Sequence, residues 1–163
     1  MIVRLTTDGK VYRDHMQTVG HDPIDAVQYV VSETRHQRLF RLGGATPRLL
    51  QGVFPFVGRG LFDLGPLNES LSYVVPPRAW AEVLYCRAGN HSDDLLYLAL
   101  TADGLPIRYL PVGPKSDIHV TLAIVEAHLS GTRLEVALAA PRGVAGSVII
   151  DFGLAEIAGG DPK

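Results

Sequence analysis

Residues 80–114 read WAEVLYCRAGNHSDDLLYLALTADGLPIRYLPVGP, and how this stretch divides decides the fold. Three apolar runs, 80–87, 95–101 and 107–112, alternate with Ala88-Gly89-Asn90 and its polar continuation to Asp94, with Asp103-Gly104, and with Gly113-Pro114. Each run is too short for a stable helix, is rich in Val, Ile, Leu and Tyr, and stops at residues that favour turns. Three strands and their turns account for the whole stretch.

Outward from it the same punctuation continues. Residues 71–75 stop at Pro76-Pro77, and runs at 118–123, 134–139 and 147–157 follow, the last expected to be interrupted at Gly153. Seven short strands without a crossover helix predict an all-β antiparallel sandwich, jelly-roll or immunoglobulin-like. Residues 2–6 alternate, and Asp8-Gly9 ahead of Val11 and Tyr12 predicts an N-terminal hairpin, for a total of about eight to ten strands. Residues 24–42 read two ways. Asp22 and Pro23 suit the start of one short helix within 23–35, with Ile24, Val27 and Val31 on one face. Val27, Tyr29 and Val31 also alternate as a strand, and strands are favoured because the rest of the chain is β. Glycines 43, 44, 52, 58, 60 and 65, with Pro47, Pro55 and Pro66, predict an irregular Gly/Pro-rich insertion at about 43–68.

The chain has 163 residues, and a domain near this length buries roughly 70% of its unfolded surface, so one domain over 1–163 is expected. Hydrophobic residues make up 47% and charged residues 20%. That apolar excess requires a large core or a covered surface, and points to a homo-oligomer or a protein partner. A net charge of −2, with 15 basic and 17 acidic residues spread along the chain, gives no footprint for nucleic acid or an anionic membrane. Arg35, His36, Arg38, Arg41 and Arg48 make a locally basic run, read as a solvated face before an anion patch. A single cysteine excludes an intramolecular disulfide, and no stretch reads as a signal peptide or membrane span, so a cytoplasmic location is expected.

The apolar segment Val53-Phe54-Pro55-Phe56-Val57, with Leu61-Phe62, offers an oligomer interface through Phe54, Phe56 and Phe62, or else a loop covering the core. Cys86 alternates with Leu84 and is read as a small core hydrophobe in preference to a nucleophile. Sandwiches that bind sugars stack them on exposed aromatics, and Trp80 at a strand start is the leading ligand-binding candidate, ahead of Tyr73, Tyr85, Tyr97 and Tyr109.

His91-Ser92-Asp93 places an imidazole and a carboxylate two residues apart, on one face of extended backbone, and His128 completes a set of two histidines and a carboxylate. This pattern resembles that of the jelly-roll iron oxygenases. The resemblance implies a divalent metal on His91, Asp93 and His128, with Arg133 or Arg142 holding a cosubstrate. Against it, Asn90, Ser92, Asp93 and Asp94 are ordinary turn formers. Asp117 and His119 form a second pair of the same spacing. The leading reading is a non-catalytic, self-associating binding or assembly protein without a cofactor. A small iron or zinc enzyme is the alternative, and a small-ligand or carbohydrate-binding module the third.

Overall fold

In the computed structural model, residues 2–5, 11–14, 37–38, 40 and 42–159 are described. The chain divides into two compact units, Met1–Arg38 and Leu39–Lys163. In the first, β1 (Ile2–Leu5) and β2 (Val11–Asp14) pair antiparallel with Leu5 opposite Val11, the hairpin that the sequence predicts. The Asp8-Gly9 turn and the short helix weighed for 23–35 lie outside the described residues.

The second unit is an antiparallel β-sandwich. One sheet holds β3 (Ala45–Val57), β12 (Ala145–Ala158) and β6 (Ala79–Asn90), in that order. The far side of β6 is shared by β9 (Asp117–Thr121), along Tyr85–Gly89, and β10 (Ala127–His128), along Ala81 and Glu82. The other sheet runs β8 (Leu105–Val112), β7 (Leu96–Ala102), β11 (Arg133–Ala139). The far side of β11 is likewise shared, by β4 (Gly65–Pro66) and β5 (Ser72–Val74). The plan of the two sheets is therefore the same: three full strands and one edge made of two fragments.

Alternation sets which side chains face inward. Leu50 and Phe54 of β3, Val83 and Cys86 of β6, and Val148, Ile150 and Phe152 of β12 meet Leu96, Leu98, Leu100, Val112, Leu134 and Val136 of the other sheet in one buried cluster. Each fully buried Leu, Ile or Phe contributes about 1.5–3 kcal/mol. Asp103 and Gly104 join β7 to β8 with φ of 51° and 81°. Both central residues in the left-handed region make the tight hairpin turn for which an Asp-Gly pair is suited.

Two expectations change. The predicted irregular insertion at 43–68 contains the thirteen-residue strand β3, paired without a register break from Ala45 opposite Ile157 to Val57 opposite Ala145. Its prolines are tolerated because, among the described strands, β3 is an edge with β12 on one side only. Gly52 leaves room for the Phe54 ring, which lies 2.6 Å from where a Cβ would stand. Residues 58–64 remain irregular, as do the short flanks 43–44 and 67–68. Second, β12 is continuous through Gly153; the irregularity is a bulge in β6, where Leu84 is the extra residue between the pairs Gly153–Tyr85 and Leu154–Val83. The strands of the sandwich all belong to the second unit.

Candidate functional site

The outward side of the β3–β12–β6–β9 sheet carries the most organised group of exposed side chains. Cross-strand pairing puts Tyr85 directly opposite Gly153, and the absence of a side chain there is what lets the tyrosine ring lie down: a Cβ on Gly153 would stand 2.0 Å from the ring. The Arg87 guanidinium carbon sits over that ring, 5.1 Å from its centroid. The His119 imidazole meets it edge-on at 6.5 Å. Asp151 accepts a hydrogen bond from the Tyr85 hydroxyl at 3.1 Å and lies 3.9 Å from Arg87. Burial, then the Asp151 carboxylate, pushes the Tyr85 hydroxyl pKa up, so it remains a neutral donor.

Arg87, Gly89, Asp117, His119, Ile149 and Asp151 enclose an open depression of about 370 Å³ on this face. Beside it runs an aliphatic strip, Leu49, Val53, Val57 and Ile149, each between 42% and 69% exposed. Mixed charge, a propped aromatic and uncovered aliphatics on a flat sheet suit contact with another surface better than bond-making chemistry.

The residues singled out in the sequence fall in different places. His91 is exposed, with its Nδ1 3.3 Å from the Ser147 hydroxyl. Asp93 is 86% exposed and pairs with Lys115 at 3.4 Å. His128 is buried on β10, and burial lowers its pKa. Among the described residues no three His, Cys, Asp or Glu side chains come together to hold a metal ion, so His91, Asp93 and His128 form no joint site. The turn is organised by Asn90 instead. This buried amide donates to the carbonyls of Asp94 (2.8 Å) and Gly113 (2.9 Å) and accepts from the Ser92 backbone N–H (2.9 Å) and hydroxyl (2.8 Å). Turn chemistry explains the composition of the segment.

Phe54 and Phe56 are 9% and 7% exposed and belong to the core, which corrects their assignment to an oligomer interface: both fall on the inward side of β3. Phe62 alone is fully exposed, on the irregular 58–64 segment. Trp80 is 7% exposed and packs with Ala45, Ala155 and Ile157, Phe40 and Leu84 lying against them, so it offers no open stacking face. Cys86 is fully buried; burial, then Asp151, pushes its thiol pKa up to about 12, which fits a core hydrophobe. Of the basic run, Arg35, His36 and Arg41 lie outside the described residues. Arg48 is bound up in a clasp: its Nε and Nη2 reach the Glu156 carboxylate at 2.8 and 3.2 Å, and the Tyr73 hydroxyl donates to the same group from the opposite sheet. Those two partners hold the Glu156 pKa below the usual carboxylate range. The Tyr85–Gly153 arrangement was missed because it depends on pairing between residues 68 positions apart.

No protein-family model matches the chain, and no curated protein matches it. Among solved structures it is similar to a protein from Bacillus endospore appendages described as a novel family of disulfide-linked pili, at 7% identity and TM-score 0.39, over 71% of this chain and 90% of that one. It is also similar to the CBM36-1 domain of a multidomain xylanase from the hindgut metagenome of Trinervitermes trinervoides, at 15% identity and TM-score 0.38, over 72% and 100%. A third likeness is to infectious bursal disease virus, Gt strain, at 14% identity and TM-score 0.43, over 98% of this chain and 42% of that one. The chain is an antiparallel β-sandwich by its own strand pairing, and at such identities and TM-scores nothing about activity carries over from these neighbours.

Proposed function

We propose that this chain is a non-catalytic binding or assembly protein, a self-associating β-sandwich subunit whose working surface is the outward side of the β3–β12–β6–β9 sheet. The observation that carries this reading is the aliphatic strip Leu49, Val53, Val57 and Ile149, left in water beside the braced Tyr85, Arg87 and Asp151 group. Apolar side chains gathered on one flat surface gain by being covered, while the charged rim gives direction to the contact. Phe62 is a second exposed anchor. A cytoplasmic location belongs to this proposal.

The test is light scattering coupled to size exclusion, over a range of concentrations, on the wild type and on a Val53→Glu, Ile149→Glu double variant. An oligomer in the wild type that is lost in the variant supports the reading. A wild type that stays monomeric throughout removes self-association from it.

A second reading, a small-ligand or carbohydrate-binding module, is favoured by Tyr109. It is 61% exposed on β8 and braced edge-on by Tyr97 at 5.7 Å. Affinity electrophoresis in polysaccharide gels with wild type and Tyr109→Ala tests it; retardation abolished by the substitution is the supporting result.

A further inference from the structure

We infer that β3 pairs with β3 of a second copy of this chain, antiparallel, across a two-fold axis passing through Gln51. The inference rests on the assembly reading and specifies its partner and register. In an antiparallel ladder, successive residues turn their N–H and C=O alternately towards one neighbour and the other. The Gly58 N–H donates to Val144 of the neighbouring chain segment, so even-numbered residues of β3 bond to β12 and odd-numbered residues present theirs at the open edge. Pro47 and Pro55 are both odd, consistent with an unbroken ladder to β12. Between them, among the described residues, the backbone groups that Leu49, Gln51 and Val53 turn to this edge have no ladder partner.

That edge is self-complementary. Pro47 and Pro55 are equally spaced about Gln51, and so are Leu49 and Val53. Any strand laid on β3 is forced to splay at the prolines, because a ring carbon stands where a hydrogen would be. A second β3 running antiparallel and centred on Gln51 splays at the same two places, so neither copy presents a donor to the other's proline. The Gln51 pair exchanges two hydrogen bonds, and each of the two Leu49–Val53 pairings exchanges two more. The odd residues also turn their side chains outward. Leu49 of one copy then lies beside Val53 of the other, in a row with Ile149, which pairs with Val53 within each subunit. The aliphatic strip becomes continuous across the axis.

Edge strands are usually guarded by charge as well as proline. The outward residues of β3 are Ala45, Pro47, Leu49, Gln51, Val53, Pro55 and Val57, with no charged side chain among them. Prolines that limit pairing to one short, symmetric window, combined with an uncharged face, suit a closed dimer in preference to an open stack of strands.

Single-cysteine variants read the register directly. Cys86 is buried, so an introduced thiol on β3 is the reactive one. Residues opposite each other in a hydrogen-bonded pair have Cα atoms about 5.5 Å apart, within disulfide range. Under mild oxidation Gln51→Cys is expected to form a covalent dimer with itself. Leu49→Cys and Val53→Cys each stay largely unlinked, but cross-link when mixed. A Gln51→Pro variant, which removes an outward N–H and leaves the ladder to β12 intact, is expected to be monomeric and folded, with an unchanged circular dichroism spectrum and a melting temperature that no longer rises with protein concentration. The inference is overturned if Leu49→Cys links to itself as readily as Gln51→Cys does. It is overturned equally if the wild type is an oligomer that Gln51→Pro leaves intact, a result under which the assembly reading survives. A wild type that is monomeric at every concentration removes both.

Discussion

β3 and β12 lie side by side over their whole length and differ in nearly everything else. β12 is paired on both sides, by β3 and β6, and sends Val148, Ile150 and Phe152 into the core at 1% exposure or less. Among the described strands β3 is paired on one side only; it carries two prolines and a glycine, and from Pro47 to Val57 it leaves its odd-numbered side chains in water. A strand with two neighbours has every backbone group committed, so its sequence has to be regular. A strand with one neighbour needs regularity only along the committed edge, and its open edge is available for a different purpose.

The largest expected effect sharpens this contrast. Phe152→Ala empties a fully buried site on β12 and is expected to cost about 3–5 kcal/mol in urea unfolding. Leu49→Ala, on the outward side of β3, is expected to stay within about 0.5 kcal/mol. Equal costs would break the distinction. Next is Asn90→Ala, where β6 runs beside the start of β12. It strands the Asp94 and Gly113 carbonyls and the Ser92 N–H, for about 3 kcal/mol in the same assay.

Gly153→Ala is intermediate. The added methyl displaces the Tyr85 ring, with an expected cost of about 1–3 kcal/mol that largely disappears in a Tyr85→Ala background. Pro55→Thr on β3 is expected to change stability by less than about 1 kcal/mol. It restores a free N–H at the edge, so light scattering during incubation is expected to report faster aggregation. A large loss of stability would mean that Pro55 does not face the open edge.

The smallest effect tests the opposite edge of the same sheet. Burial lowers the folded-state pKa of His128 below its ordinary value of 6.5. The unfolded chain therefore binds the proton more readily, and stability present above the ordinary value declines as pH falls through it towards the depressed one. The urea midpoint is expected to drop between about pH 7 and pH 5.5, and His128→Gln is expected to flatten that drop.

Which parts of the fold were legible follows from the same contrast. The strands at 80–112 could be read because their apolar runs end at turn formers whose backbone needs are local, such as Asp103-Gly104. β3 could not, because Pro47, Gly52 and Pro55 signal irregularity unless the neighbour is known. β4 and β10 are two residues long and exist only by pairing with β11 and β6. At the site level, the His-x-Asp pattern was visible but its geometry was not: spacing places His91 and Asp93 near each other and says nothing of His128. Phe54, Phe56 and Trp80 stood out for size, and large aromatics on a strand more often serve the interior. Tyr85 gained its position from Gly153, a residue expected only to interrupt a strand.

The pairing of β3 with β12 has one more consequence. Ala45 waits for Ile157, so the first strand of the sandwich finds its partner only when the last one has been made. Contacts this distant are slow to form, and until they do a largely apolar strand with Arg48 as its one charge is exposed on both edges. The hazardous interval for this protein is therefore its birth: during synthesis Pro47 and Pro55 act as built-in brakes on premature pairing, long before any finished subunit meets another.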